Sequence, residues 1–390
     1  MSSDPSPRAV LAAAAAAQAA ISFVNFGLPS IGPELRDEYG MSLAELGAAL
    51  TAGLLGTGVA LIAAGIAVDR FGTPASTLVG TLIAAAGLAV AAAASSTGLL
   101  FGALVVFGVG SAVVPIAGAG ALFRAYPAAS RAWALGVRQM AVPLGGTVAA
   151  VAMPLLQRAG GVEVALAVGA GAVGVTGVVF ALLPEERRPR GARPSGAFRR
   201  IWRAPGMRRL LVVAGFYIVV LQAVLSYTVP AVRASGLSSF VASATYFAVN
   251  VTAMVARIVW GKVADRQQGT RRSRTLVEVG LMAAVGALLF TVALHFDALA
   301  VVPAAVVFGF GALGWNALVY VSAGERADPE LAGRSVAVAA TVIFLLSAIA
   351  TPPLGALAAH AGWDVFWATT ALLAVTGSLI AITLPHVLRD

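Results

Sequence analysis

Gly65-Ile66-Ala67-Val68-Asp69-Arg70-Phe71-Gly72 closes the apolar run 43–67 and precedes another, 75–94, and Glu45 is the sole charge in either run. The pattern returns as Gly261-Lys262-Val263-Ala264-Asp265-Arg266, displaced by 196 residues, at the end of the run 238–263. Pro143-Leu144-Gly145 returns as Pro353-Leu354-Gly355, displaced by 210. Each copy holds the same place among the apolar runs of its own half, so the chain reads as an internal duplication.

A hydrocarbon core of about 30 Å needs roughly 20 helical residues. Twelve runs of that order are predicted as spans 1 to 12, near 9–29, 43–67, 75–94, 98–123, 132–156, 163–183, 208–230, 238–263, 275–296, 299–323, 335–358 and 363–384. Composition agrees: 59% of the 390 residues are apolar and 11% are charged, against roughly 25% charged in a soluble domain. Mean hydropathy is +0.90. The alanine-rich start has the look of a signal peptide, but its apolar run continues unbroken through 21–28, a length that spans. The connections leave no room for a soluble domain.

Basic residues set the orientation. With the N-terminus inside, 21 Lys and Arg fall on the cytoplasmic side, nine of them Arg between 187 and 209. Only Arg36, Arg158 and Arg233 fall outside, and Arg138 and Arg257 lie within spans. This placement accounts for the net charge of +9 without nucleic acid. The expected location is the inner (plasma) membrane, multi-pass, with both termini cytoplasmic. The longest connection, 184–206, divides the chain into a six-span bundle at 1–183 and another at 207–390. In it Phe198, Ile201 and Trp202 interleave with Arg199, Arg200 and Arg203. That stretch reads either as a short helix on the anionic inner leaflet or as a solvated linker.

With no Cys, disulfides, thiol chemistry and thiolate metal sites are excluded. The three His, at 295, 360 and 386, do not suggest a metal cluster. No Ser/His/Asp set or phosphate loop is visible, so neither an enzyme nor a cofactor is expected.

Gly65, Asp69, Arg70 and Gly72, as G-x-x-x-D-R-x-G between spans 2 and 3, resemble the signature of the major facilitator superfamily, and Gly261, Asp265 and Arg266 resemble its degenerate second copy. Gly72-Thr73-Pro74 departs from the family, where basic residues are usual, and this weakens the expected inner gate. The resemblance implies an all-α membrane protein with twelve transmembrane helices in two pseudo-symmetric six-helix bundles. It implies a small-molecule substrate, a lipid bilayer as surroundings, a monomer, and rocker-switch alternating access. Gly65 and Gly261 are expected to let neighbouring helices pack closely. The resemblance places Asp69 and Asp265 at the N-termini of helices of the opposite half, near Ser335 and Ser130, where a carboxylate gains about 0.3–2 kcal/mol from the helix dipole. The bland alternative is ordinary loop charge.

Charge inside the bilayer costs several kcal/mol and usually faces a partner or a wet cavity. Arg257 lies eight residues before Asp265, about 12 Å inward, and Arg138 is similarly deep in span 5. The resemblance makes spans 5 and 8 neighbours, and two cations there call for an anion. Tyr246, Asn250 and Arg257 share one face of span 8 within roughly 40°. Gln18, Ser22 and Asn25 do so on span 1, Gln222 and Ser226 on span 7, Asn316 and Tyr320 on span 10. These residues either line a path or bond neighbouring helices. Arg257 either binds substrate or pairs with Asp265 or a carbonyl.

The stretch 253–261 is similar to helix 8 of the monocarboxylate and oxalate porter branch, in which the arginine binds a substrate carboxylate. Arg131, Gly136 and Pro143 resemble helix 5 of that branch. Two residues of the branch are replaced: its proton-carrying aspartate by Ala253 and its helix 1 lysine by Ser30. No acid sits mid-span; Glu278 is expected to pair with Arg274 at a boundary, and Glu163 lies at the outer end of span 6. The preferred substrate is therefore a small organic anion. An efflux antiporter for apolar or drug-like compounds is the alternative, since Pro143-Leu144-Gly145-Gly146 partly resembles the antiporter motif. A non-transporting sensor on the same fold is a third reading.

Overall fold

The computed structural model describes residues 6–183, 197–266, 272–327 and 331–385, without the side chains at 128–133, 197, 265, 272 and 332–333. Every regular element among them is helical. In chain order these are α1 (Pro7–Gly27), a single 3-10 turn (Leu28–Ile31), α2 (Gly32–Tyr39), α3 (Leu43–Phe71), α4 (Thr73–Ala92), α5 (Thr97–Ser111), α6 (Val113–Ala125) and α7 (Ala128–Ala181). After the linker come α8 (Ala197–Arg203), α9 (Met207–Ala234), α10 (Ser239–Arg266), α11 (Arg272–Ala293), α12 (Ala298–Ala312), α13 (Asn316–Arg326) and α14 (Ala332–Ile382).

Ten helical stretches are long and apolar enough to cross a membrane. Two of them are double-length. The 54 residues of α7 and the 51 of α14 would each extend about 80 Å if straight, more than twice the hydrocarbon core. Each breaks once, α7 at Gly160–Gly161 and α14 at Gly362. Gly161 (φ 80°) and Gly362 (φ 82°) occupy the positive-φ region that a Cβ disfavours. Divided there, the described residues supply the twelve apolar segments expected. Capping residues open several of them: the Ser6, Ser96 and Asp297 side chains accept backbone N–H bonds at the starts of α1, α5 and α12. Gly72, between α3 and α4, has φ 86° and ψ 167°, a conformation essentially confined to glycine.

Two compact units are formed, one from residues 1–41 and 48–190, the other from 42–47 and 191–390. In the first, α7 packs chiefly on α1 and α4, and α4 on α5. In the second, α14 packs on α9 and α11, and α11 on α12. The duplication is visible at atomic level. A Cβ on Gly87 would lie 2.6 Å from the Phe107 backbone nitrogen, and one on Gly286 would lie 2.7 Å from that of Phe308. Gly110 meets the Ala84 backbone as Gly311 meets that of Ala283. Phe107 and Gly110 recur 201 residues later as Phe308 and Gly311. The same helix pair is thus sealed by the same glycines in each unit, backbone against backbone.

Gly65 and Gly261 do not serve in this way, contrary to the expectation from the motif. A Cβ on Gly65 would touch only Ile116, at 3.8 Å, and one on Gly261 would meet nothing within 4 Å. Gly145 is a close-packing glycine: α7 rests there on α1, with Phe23 N and Ser22 Cβ each 2.9 Å from where a Cβ would stand. The Arg274–Glu278 pair forms as expected, at 3.0 Å on the exposed start of α11.

Candidate substrate site

In the first unit the chemistry centres on Arg138, carried by α7 and only 4% exposed. Its Nη2 donates to Gln18 Oε1 of α1 at 2.9 Å. The guanidinium crosses the face of Gly118 on α6, where a Cβ would stand 2.8 Å from Nε and 3.5 Å from Ala14 Cβ. Nε itself is buried with no hydrogen-bond partner among the described residues. A charged donor held at one end and left open at another is an incomplete arrangement, because an unmet buried donor costs about 1–3 kcal/mol and more when charged. The expected polar stripe of α1 divides: Gln18 reaches Arg138, Ser22 packs at Gly145, and Asn25 Oδ1 lies against Gly53 of α3.

In the second unit Arg257 of α10 lies within electrostatic reach of the Tyr320 hydroxyl on α13. Its Nε is likewise buried and unmet among the described residues. Asn316, one turn before Tyr320, presents a buried Oδ1 that also lacks a partner. Nearby, Trp260 Nε1 donates to the Phe310 carbonyl at 3.0 Å, where α12 gives way to α13. Arg257, Tyr320 and Asn316 are therefore brought together by the packing of α10 on α13.

The other expected lining residues are engaged in local or interhelical bonds. Asn250 donates to the Tyr246 carbonyl of its own helix at 3.0 Å, and Tyr246 is buried. Gln222 on α9 reaches Thr351 Oγ1 on α14 at 3.5 Å. Of the motif residues, Asp69 and Arg70 are exposed at the end of α3, and Arg70 stacks over Phe71 at 5.5 Å. Arg266 is exposed, and the Asp265 and Arg131 side chains lie outside the described residues. Pro143 and Gly146 are buried in α7, and Thr147 Oγ1 donates to the Pro143 carbonyl at 2.9 Å. No group of three or more His, Asp or Glu able to hold a metal forms among the described residues.

Gly118 was not singled out from sequence. It sits in Ala117-Gly118-Ala119-Gly120, a stripe that reads as ordinary small-residue packing. Only the guanidinium lying on it marks its role.

A sequence model described as Major Facilitator Superfamily matches residues 14–351. No curated protein matches the sequence significantly. Among solved structures, the chain is similar to a D-xylose–proton symporter, with TM-score 0.78, 14% identity, and 97% of this chain and 98% of that one covered. It is similar to a bacterial homologue of the human lysosomal transporter Spinster, inward-facing and occupied, with TM-score 0.77, 17% identity and 97% of each chain covered. A nucleoside transporter gives TM-score 0.74 at 13% identity, with 96% and 99% covered. At these identities the likeness is one of fold.

Proposed function

Because the chain belongs to the Major Facilitator Superfamily, a family of multi-pass membrane transporters, we propose that it moves a small organic anion across the plasma membrane by alternating access. Arg257 is the anion's principal contact, with Tyr320 and Asn316 beside it, and Arg138 is a second cationic contact. The observation that carries this reading is the pair of buried arginines, each with an unmet Nε and neither in a printed ion pair with a carboxylate among the described residues. A guanidinium in a partly desolvated site suits bidentate recognition of a carboxylate, which an ammonium cannot reproduce. Tyr246, Asn250, Asn25 and Gln222 belong to the same proposal as the polar surroundings of the path. The monocarboxylate branch supplies the analogy for Arg257, while Ala253 and Ser30 indicate a different coupling chemistry.

The test begins with a thermal-shift screen of purified protein against mono- and dicarboxylates, nucleobases, sugars and drugs. A ligand at 100 times its Kd stabilises by about 2.7 kcal/mol. With the anion in hand, Arg257→Lys and Arg257→Gln are compared. Hydrogen bonds to charged groups are worth about 1.5–3 kcal/mol, so affinity should fall roughly 10- to 150-fold while melting temperature holds. A stable Arg257→Gln that binds the anion normally removes Arg257 from the site. A screen answered only by apolar drugs favours the efflux reading.

A further inference from the structure

We propose that α8 is a docking surface for anionic phospholipid headgroups, and that its seven residues hold such lipids at the start of the second unit. The linker stretch that sequence left open between helix and solvated chain is helical over Ala197–Arg203. At about 100° per residue its side chains sort into three arcs. Ile201, 2% exposed, packs against the protein. Phe198 and Trp202, i and i+4, share an adjacent face and stack with centroids 5.9 Å apart. They remain 65% and 41% exposed. Arg199 and Arg203, also i and i+4, lie opposite Ile201 and are exposed, and Arg208 and Arg209 add two more exposed cations one turn into α9.

A stacked aromatic pair left open to the surroundings is costly in water and at home in the headgroup region, where amphipathic rings concentrate. Arginines on the next arc would then meet lipid phosphates, for which guanidinium is the better fork. A solvated linker explains the arginines but not the aromatic face beside them. The proposal does not rest on the organic-anion reading, because none of these residues belongs to that site.

The test uses the full-length protein in neutral detergent, with melting temperature followed by circular dichroism as phosphatidylglycerol, phosphatidylcholine or inorganic phosphate is added. Phosphatidylglycerol should raise the melting temperature, while the other two leave it unchanged. Each exposed arginine near an anionic surface is worth about fivefold in affinity. Arg199→Ala/Arg203→Ala should therefore need about thirtyfold more phosphatidylglycerol for half its effect. Arg199→Lys/Arg203→Lys keeps the charge and should retain most of the response, and Phe198→Ala/Trp202→Ala should weaken it. Equal shifts with phosphatidylcholine, full substitution by inorganic phosphate, or an unaltered response in the double-alanine variant would each overturn the proposal.

Discussion

At the scale of single residues, the informative contact is the one between Arg138 and a glycine. Gly118 leaves the space in which the guanidinium lies, and Gln18 fixes one end of it. Gly118→Ala would set a methyl 2.8 Å from Nε. The obstructing atom belongs to a flexible side chain, so Arg138 should move and the helices should stay. The expected result is a melting temperature within about 1 kcal/mol of wild type, with roughly tenfold weaker binding of the anion found in the screen. Isothermal titration beside a melting curve checks both, and a large stability loss with unaltered affinity would make Gly118 a packing residue only. Arg138 was legible in the sequence because charge inside an apolar run is conspicuous. Its partners were not, since Gln18 is one polar residue among several on α1 and Gly118 is one of 43 glycines.

Elements show the same division. Twelve apolar segments could be read from length alone, and Gly160–Gly161 and Gly362 fall between the predicted spans 5 and 6 and spans 11 and 12. The glycines that hold helices together could not be chosen by motif. Gly65 and Gly261 stand in open positions, whereas Gly87 and Gly286, outside any signature, face backbone atoms. Backbone cannot swing aside as a side chain can, so Gly87→Ala and Gly286→Ala should each cost about 1–3 kcal/mol. Gly261→Ala should be neutral. Melting temperatures of the three variants in one detergent decide this. A further element-scale expectation concerns the start of α3. Ser42 N donates to Glu45 Oε2 at 2.8 Å, and Glu45 N donates to Ser42 Oγ at 3.2 Å, a reciprocal cap. The Ser42 backbone N–H, and after it the Ser42 hydroxyl, hold the Glu45 carboxyl below its ordinary value of 4.5. An acid whose pKa is lower in the folded state stabilises above the unfolded value and loses that contribution as pH falls through the folded one. Wild type should therefore melt above Glu45→Gln at neutral pH, and the two curves should converge below about pH 4.5. A difference that persists unchanged in acid would place the effect elsewhere.

For the whole molecule, duplication explains why two sequence echoes sufficed to identify the architecture, while the substrate stays with the few charges that break the symmetry. The 21 cytoplasmic cations predict that tags at Asp390 and within 187–203 report the same, inner side, and an outer signal from either would overturn the topology. Asp69 sits in the motif that resembles the gating signature. Asp69→Asn should impair transport far more than ligand binding, because a gating residue shifts conformations without touching substrate, and unchanged flux at normal expression would end that role. The breaks in α7 and α14 bear also on how the chain is made. The predicted spans on either side of Gly362 are parted by only a few residues, 359–362, so there is no slack for one to cross while its neighbour waits. Such a pair must leave the insertion machinery as a hairpin, its two legs entering lipid together. The marginal leg is thereby carried by the stronger one during synthesis. Lengthening the turn at Gly362 with a flexible insert should uncouple them, and a glycosylation-site assay of nascent-chain insertion would show span 12 failing where it now succeeds.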